Sequence, residues 1–163
     1  MCGLAGVWAP QAGLDEAALR AMAATMGDAI AHRGPDDAGQ WASAVDGLAL
    51  AHRRLSIQDL SAAGHQPMAS ASGRFQLAYN GEIYNFQALR SELAALGHGF
   101  NGHSDTEVLL AAVEQWGLEA ALPRFNGMFA IALWDCQHQR LALVRDRVGK
   151  KPLYYGWAGK ALV

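Results

Sequence analysis

Cysteine is scarce in this chain: Cys2 and Cys136 are the only two in 163 residues. Two cysteines cannot build the disulfide framework of a small secreted domain, and a reducing cytoplasm is the expected setting. No apolar run approaches the roughly 20 residues a helix needs to cross a bilayer, so no membrane association is expected. The start lacks the charged-then-apolar pattern of a secretory signal. An excess of one charge is missing too: 13 Lys and Arg stand against 15 Asp and Glu, with a net charge of −2 and a pI near 6.3. That balance offers no basic footprint to nucleic acid. The six histidines, at 32, 52, 65, 98, 103 and 138, have no metal-ligand spacing with cysteine or with each other, so no metal is expected. Internal repeats and low-complexity linkers are absent, and no domain boundary is visible.

What is present fits one soluble globular domain with a sizeable core, 52% apolar and 17% charged. Strands are predicted over residues 2–8, 38–44, 47–57, 75–80, 127–135, 140–146 and 152–157, with 127–135 and 140–146 forming a hairpin. A first helix follows Asp15, carried by Leu19, Met22, Met26 and Ile30 at three- and four-residue spacing. A second spans Asn85 to Leu96, with Phe86, Leu89, Leu93 and Leu96 as its stripe and Gly97 beyond its end. The third begins at a capping box, Ser104 with Glu107, and closes at Gly117. A short helix near 118–122 precedes Pro123. These elements predict an α+β fold, antiparallel sheets with helices packed on their outer faces. The final stretch, KKPLYYGWAGKALV, reads as a strand, a turn and the start of another strand, so the chain is expected to be the front of a longer one.

Four stretches carry possible chemistry. In MCGLAG, Cys2 follows the initiator methionine; it is either a small buried hydrophobe opening a strand or, after removal of Met1, a thiol and a free amine on one residue. In LAYNGEIYNF, Asn80-Gly81 is the strongest short signal for a hairpin turn. The same pair could instead offer a carboxamide and an exposed N–H to the oxyanion of an acyl transfer. In GLALAHRRLSIQDL, an extended backbone puts Leu48, Leu50, His52, Arg54 and Ser56 on one face and Arg53 on the other. Arg54 is then either a solvent-facing edge residue or a fork for a carboxylate. Asp105, in HSDTE, is either a favourable charge in a helix's first turn or a partner for a cationic ligand group. HRGPDD, residues 32–37, reads as a tight loop.

Taken in order, MCGLAG, HRGPDD, AHRRLSI, YNGEIYN, HSDTE, FNGMFAIALWD and RDRVGKKPLYY resemble the class II glutamine amidotransferases over essentially the whole chain. Within that group, NGEIYN and HRGPD resemble the glutaminase half of glutamine-hydrolysing asparagine synthetases. The resemblance implies an N-terminal-nucleophile fold, a four-layer αββα sandwich around two central, mainly antiparallel sheets. It implies that Cys2, once first in the chain, attacks the side-chain amide of glutamine with its own α-amine as general base. An α-amine titrates at about 7.7–8.0 and a thiol near 8.5, so proton exchange between them is nearly isoenergetic around neutrality.

The resemblance further assigns Asn80 and Gly81 to an oxyanion hole. It assigns Arg54, with Leu55, Ser56 and Ile57, to substrate binding at the α-carboxylate, and Asp105 with Glu82 to the α-ammonium. The product ammonia is meant for a C-terminal, ATP- and Mg-dependent synthetase domain. No serine-glycine-glycine ATP-pyrophosphatase loop occurs in the chain, so it is not expected to make asparagine alone, and the resemblance implies no cofactor for this domain. The expected partners are glutamine and that synthetase domain, with a homodimer as an assembly to test. Alternatives left open are a synthetase-like amidotransferase acting on another carboxylate, such as a surface-polysaccharide sugar, and a catalytically silent glutamine-binding module.

Overall fold

A computed structural model describes residues 1–57 and 59–163. In chain order the elements are β1 (Gly3–Trp8), α1 (Glu16–Ala29), β2 (Asp37–Ser43), β3 (Leu48–Arg54), β4 (Met68–Ala69), β5 (Phe75–Ile83) and α2 (Phe86–Ala95). Next come α3 (Asp105–Trp116), α4 (Leu118–Ala121), β6 (Gly127–Asp135), β7 (Arg140–Arg145), β8 (Trp157–Ala158) and β9 (Ala161–Leu162). Among the described residues the strands form two sheets, ordered β2-β3-β1-β9-β8 and β4-β5-β6-β7. Every pairing is antiparallel.

Three separate apolar clusters define the layers, because a strand points alternate side chains to opposite faces. Val7, Ala49 and Ala51 on one face of the first sheet meet Leu19 and Ala23 of α1. Leu48, Leu50, Ala78, Ala132 and Trp134 fill the seam between the sheets, with Leu4 and Trp8 packed against them. Leu77, Tyr79, Ile83 and Ile131 on the outer face of the second sheet meet Leu89 and Leu93 of α2 and Leu109 of α3. Helix, sheet, sheet, helix: the α+β expectation and the αββα layering both hold.

Local signals explain the helix ends. Asp15 caps α1 by accepting from Ala18 N at 2.8 Å, and Gly97 and Gly117 lie just beyond α2 and α3. Ser104 Oγ accepts the Glu107 N–H at 3.4 Å, but the other half of the box differs from expectation: the Glu107 carboxylate reaches the N–H groups of Asn101 and Gly102, both at 2.9 Å. The buried stripe of α1 also differs. Leu19, Ala23 and Gly27 face the sheet, while Met22 is 38% exposed. The sheet surface beneath this stripe includes Ala49 and Ala51, and a Cβ on Gly27 would sit 3.4 Å from that of Ala51, in ordinary van der Waals contact.

Three strand expectations need correction. The segment 152–157 is not a strand until Trp157, which pairs with Leu162 across a short hairpin. The strand expected over 47–57 ends at Arg54, where the backbone leaves the ladder. Asn80-Gly81 is no turn: β5 runs straight through it to Ile83, with Asn80 opposite Ala130 and Gly81 opposite Phe129. A glycine is needed there for a different reason. Any Cβ would collide with the Met128 carbonyl and the Tyr79 ring, so close backbone approach, not a bend, selects it. Among the described residues no helix is long and apolar enough to cross a membrane.

Candidate active site

The seam between the sheets is apolar along most of its length and polar at one end. Continuing the inward-facing series of β1, β3 and β5 past the aliphatic residues brings Cys2, Arg54 and Asn80 to a common opening. A cleft of about 490 Å³ lies there, lined by Cys2, Arg54, Asn80, Gly81, Glu82 and Asp105 among others. Leu55 and Ile57 also line it. Ser56 does not; its N–H is tied to Asp36 Oδ2 at 2.8 Å, because the chain has already left the strand and lost the alternation.

Cys2 is held rather than frayed. Its sulfur lies against the Leu55 backbone, 3.4 Å from the N and 3.6 Å from the O. Its carbonyl accepts from both Nη2 and Nε of Arg33, at 3.3 and 3.4 Å. The HRGPDD loop therefore anchors the start of β1. Met1 lines the cleft beside it, and the buried Lys151 reaches the Met1 sulfur with its Nζ at 3.1 Å.

Arg54 is buried, 8% exposed, which removes the solvent-facing alternative. Its Nη1 donates to Ser61 O at 2.9 Å and its Nη2 to Asp59 O. Two of its five N–H groups are thus committed and the guanidinium plane is fixed, leaving donors for a ligand. Gly64 packs against this plane, and a Cβ at that position would strike it.

The open edge of β5 supplies a donor of its own. Its neighbour β4 pairs only at Leu77 and Gln76, because Pro67 has no N–H for the ladder. Side chains cap the rest of the edge: Gln66 Oε1 accepts Tyr79 N at 2.7 Å, and Asp105 Oδ2 accepts Ile83 N at 2.9 Å. Alternate N–H groups of a strand point to the same side, so the Gly81 N–H lies on this edge between them. Its register partner Phe129 turns both backbone groups the other way, to Asp146. Among the described residues nothing caps the Gly81 N–H, and the Asn80 side chain lines the cleft beside it.

Asp105, 6% exposed, also accepts from the Tyr79 hydroxyl at 2.7 Å. Burial raises its carboxyl above the ordinary range, opposed by the Tyr79 hydroxyl and the Ile83 N–H. A buried carboxyl of this kind favours a cation brought close to it. Burial likewise raises the Tyr79 phenol well above its usual value, so it remains a donor.

His52 lies deeper, 1% exposed, with Nε2 2.9 Å from Tyr79 O, a bond from the first sheet to the second. Burial lowers its pKa to about 4, and among the described residues its Nδ1 has no hydrogen-bond partner. The neutral ring with the proton on Nε2 satisfies that bond. Sequence reasoning places His52 on the inward face but finds no task for it. It misses Gln66, Tyr79 and Lys151 entirely; the polar Gln66 next to a proline is the one available signal.

The architecture defines a class first. The chain superposes on glutamine phosphoribosylpyrophosphate amidotransferase from Bacillus subtilis with a TM-score of 0.76, over 98% of this chain and 40% of that one. At 22% identity this likeness speaks for the fold, of the N-terminal-nucleophile type. The family emerges from sequence: the model of the glutamine amidotransferase domain matches residues 1–163, and the chain belongs to that family. Its relatives include asparagine synthetase [glutamine-hydrolyzing] 3 of Bacillus subtilis, 40% identical over 85% of this chain and 22% of the relative. Asparagine synthetase B of Escherichia coli is 42% identical over 96% of this chain and 27% of the relative. Amidase chry2 of Gibberella zeae is 42% identical over 78% and 19% respectively. The chain therefore spans about a fifth to a quarter of the length of these relatives.

Proposed function

We propose that this domain hydrolyses the side-chain amide of glutamine and supplies the ammonia to an ATP-dependent synthetase domain that makes asparagine from aspartate. Removal of Met1 frees the Cys2 α-amine, which takes the thiol proton as sulfur attacks the amide carbon. The oxyanion that forms is met by the Asn80 carboxamide and the Gly81 N–H. The C–N bond then breaks, the amine's proton goes to the departing nitrogen, and ammonia leaves behind a γ-glutamyl thioester. Water, deprotonated by the same amine, adds to the thioester and releases glutamate and the thiol. Arg54 grips the substrate α-carboxylate. Asp105, through the oxygen not used by Ile83 and Tyr79, receives the α-ammonium together with Glu82.

The observation that carries this reading is the cleft itself. It gathers a thiol at the chain start, a fixed guanidinium, a buried carboxyl and an uncapped backbone N–H. No cofactor enters these steps; the proposed synthetase domain outside this chain is the part that would use ATP and Mg. A cytoplasmic setting suits the free thiols. Which acceptor takes the ammonia is a second question, since relatives of equal identity are named asparagine synthetase and amidase.

The test is ammonia release from glutamine by protein whose intact mass is one methionine lighter. Cys2→Ala is expected to lower turnover at least roughly a thousandfold, the scale of losing a nucleophile. Ammonia release that survives the substitution, or no glutamine hydrolysis by the Met1-free protein, would sink the mechanism.

A further inference from the structure

The two arms proposed to hold the substrate's amino-acid end come from distant parts of the chain. Arg54 ends a strand of the first sheet, and Asp105 opens α3 against the second. Among the described residues no side-chain hydrogen bond joins Arg54 to α3 or Asp105 to β3. Yet an α-carboxylate and α-ammonium on one carbon require a fixed spacing between the two arms. The loop after β3 contains the group that can set it. Asp59 is 7% exposed, and its carboxylate does not face the cleft as a free anion. Oδ1 accepts from Ser61 N at 2.8 Å and Ser61 Oγ at 2.6 Å. Oδ2 accepts from His103 N at 2.7 Å, immediately before the Ser104-Asp105 start of α3. The carbonyls of Asp59 and Ser61 are the two that hold the Arg54 guanidinium.

We infer that Asp59 is the positioning residue of the amino-acid clamp, locking the Arg54 arm and the Asp105 arm at one separation. This deepens the glutaminase reading and rests on it. One carboxylate oxygen closes the turn whose carbonyls orient Arg54, and the other pins that turn to the loop delivering Asp105. The Ser61 hydroxyl, the His103 N–H and the Ser61 N–H hold its pKa down at about 2, so the tie is ionised at neutral pH. Asparagine at this position keeps one acceptor oxygen and turns the other into a donor facing a donor. That breaks either the Ser61 or the His103 half of the tie.

The experiment is calorimetric binding of glutamine to the Cys2→Ala protein, with and without Asp59→Asn, and with Ser61→Ala as a milder second variant. The same titrations use 4-aminobutanamide, which is glutamine without its α-carboxylate. Asp59→Asn is expected to weaken glutamine binding at least tenfold and to leave the affinity for 4-aminobutanamide within threefold, so that selectivity for the carboxylate collapses. Ser61→Ala is expected to shift selectivity the same way by less, and it decides the matter if Asp59→Asn fails to fold. In Met1-free protein with Cys2 intact, Asp59→Asn should raise KM with kcat within threefold. Equal weakening of both ligands, or unchanged glutamine affinity, overturns the role. A parent protein that binds glutamine but never hydrolyses it overturns the glutaminase reading and leaves the clamp to be judged by its own titrations. A parent that does not bind glutamine overturns both.

Discussion

The two ends of the inter-sheet seam are built from the same strands and do opposite things. At one end Trp8, Leu48, Leu50 and Trp134 pack together, with the Trp8 and Trp134 rings 6.0 Å apart, beside an apolar cavity of about 400 Å³. At the other, Cys2, Arg54 and Asn80 sit on the same inward faces of β1, β3 and β5 around an open cleft. His52 stands between them, a buried polar ring bonded across the sheets. The difference teaches that the strand repeat decides which residues face inward, while the change from aliphatic to polar side chains partway along decides where packing ends and chemistry begins. The apolar end holds its side chains by hydrophobic contact. The wet end keeps its groups in place with hydrogen bonds from loops: Arg33 on Cys2, Asp59 and Ser61 on Arg54, Gln66 on the edge of β5.

If that division is real, damage at each end should register in different measurements. Trp134→Ala removes the largest fully buried side chain and should cost about 3–5 kcal/mol of unfolding free energy. The KM of the remaining folded enzyme should not move. Denaturant titration with kinetics checks this, and a KM shift without lost stability would erase the distinction. Asn80→Ala at the wet end is expected to do the reverse. Turnover should fall roughly 100- to 1,000-fold, about 2.7–4 kcal/mol of barrier, with the unfolding midpoint nearly unchanged. A wild-type rate would take Asn80 out of the oxyanion site.

The boundary residue gives the third test. With its folded pKa depressed to about 4 by burial, His52 is neutral in the folded protein where the unfolded chain takes up a proton. Its contribution is therefore complete above the unfolded pKa near 6.5 and declines as pH falls toward 4, by on the order of 3 kcal/mol at the acid limit. Unfolding measured from pH 7.5 to 4.5 should reveal this slope, and His52→Gln should flatten it. A slope that persists in the variant assigns it to other groups.

Much of this is legible in the sequence, for identifiable reasons. Period-two alternation in 48–54 puts His52 and Arg54 on the inward face, and the structure keeps them there. The side-chain caps at Asp15 and Ser104 are readable because a cap is a local bond between near neighbours. What escapes is set by groups distant in sequence. Asn80-Gly81 carries a turn's local signature, yet pairing with Ala130 and Phe129 holds it in a strand. Met22 fits a helical stripe, but the face α1 turns to the sheet runs through Leu19, Ala23 and Gly27, one position round from it. Ser56 continues an alternation that ends with β3. Gln66 substitutes its side chain for a missing ladder rung, which only the register of β4 on β5 reveals.

The antiparallel match of β3 with β1, Arg53 facing Gly3 and Leu48 facing Trp8, is a ruler for the reaction. Sliding β3 by one residue would turn every inward side chain outward and be rejected at once. Sliding it by two would keep leucines beside tryptophans while carrying the guanidinium about 7 Å along the strand. Such a molecule would fold with its reagents out of range of each other, so the register of β3 on β1 sets the distance over which sulfur and substrate meet.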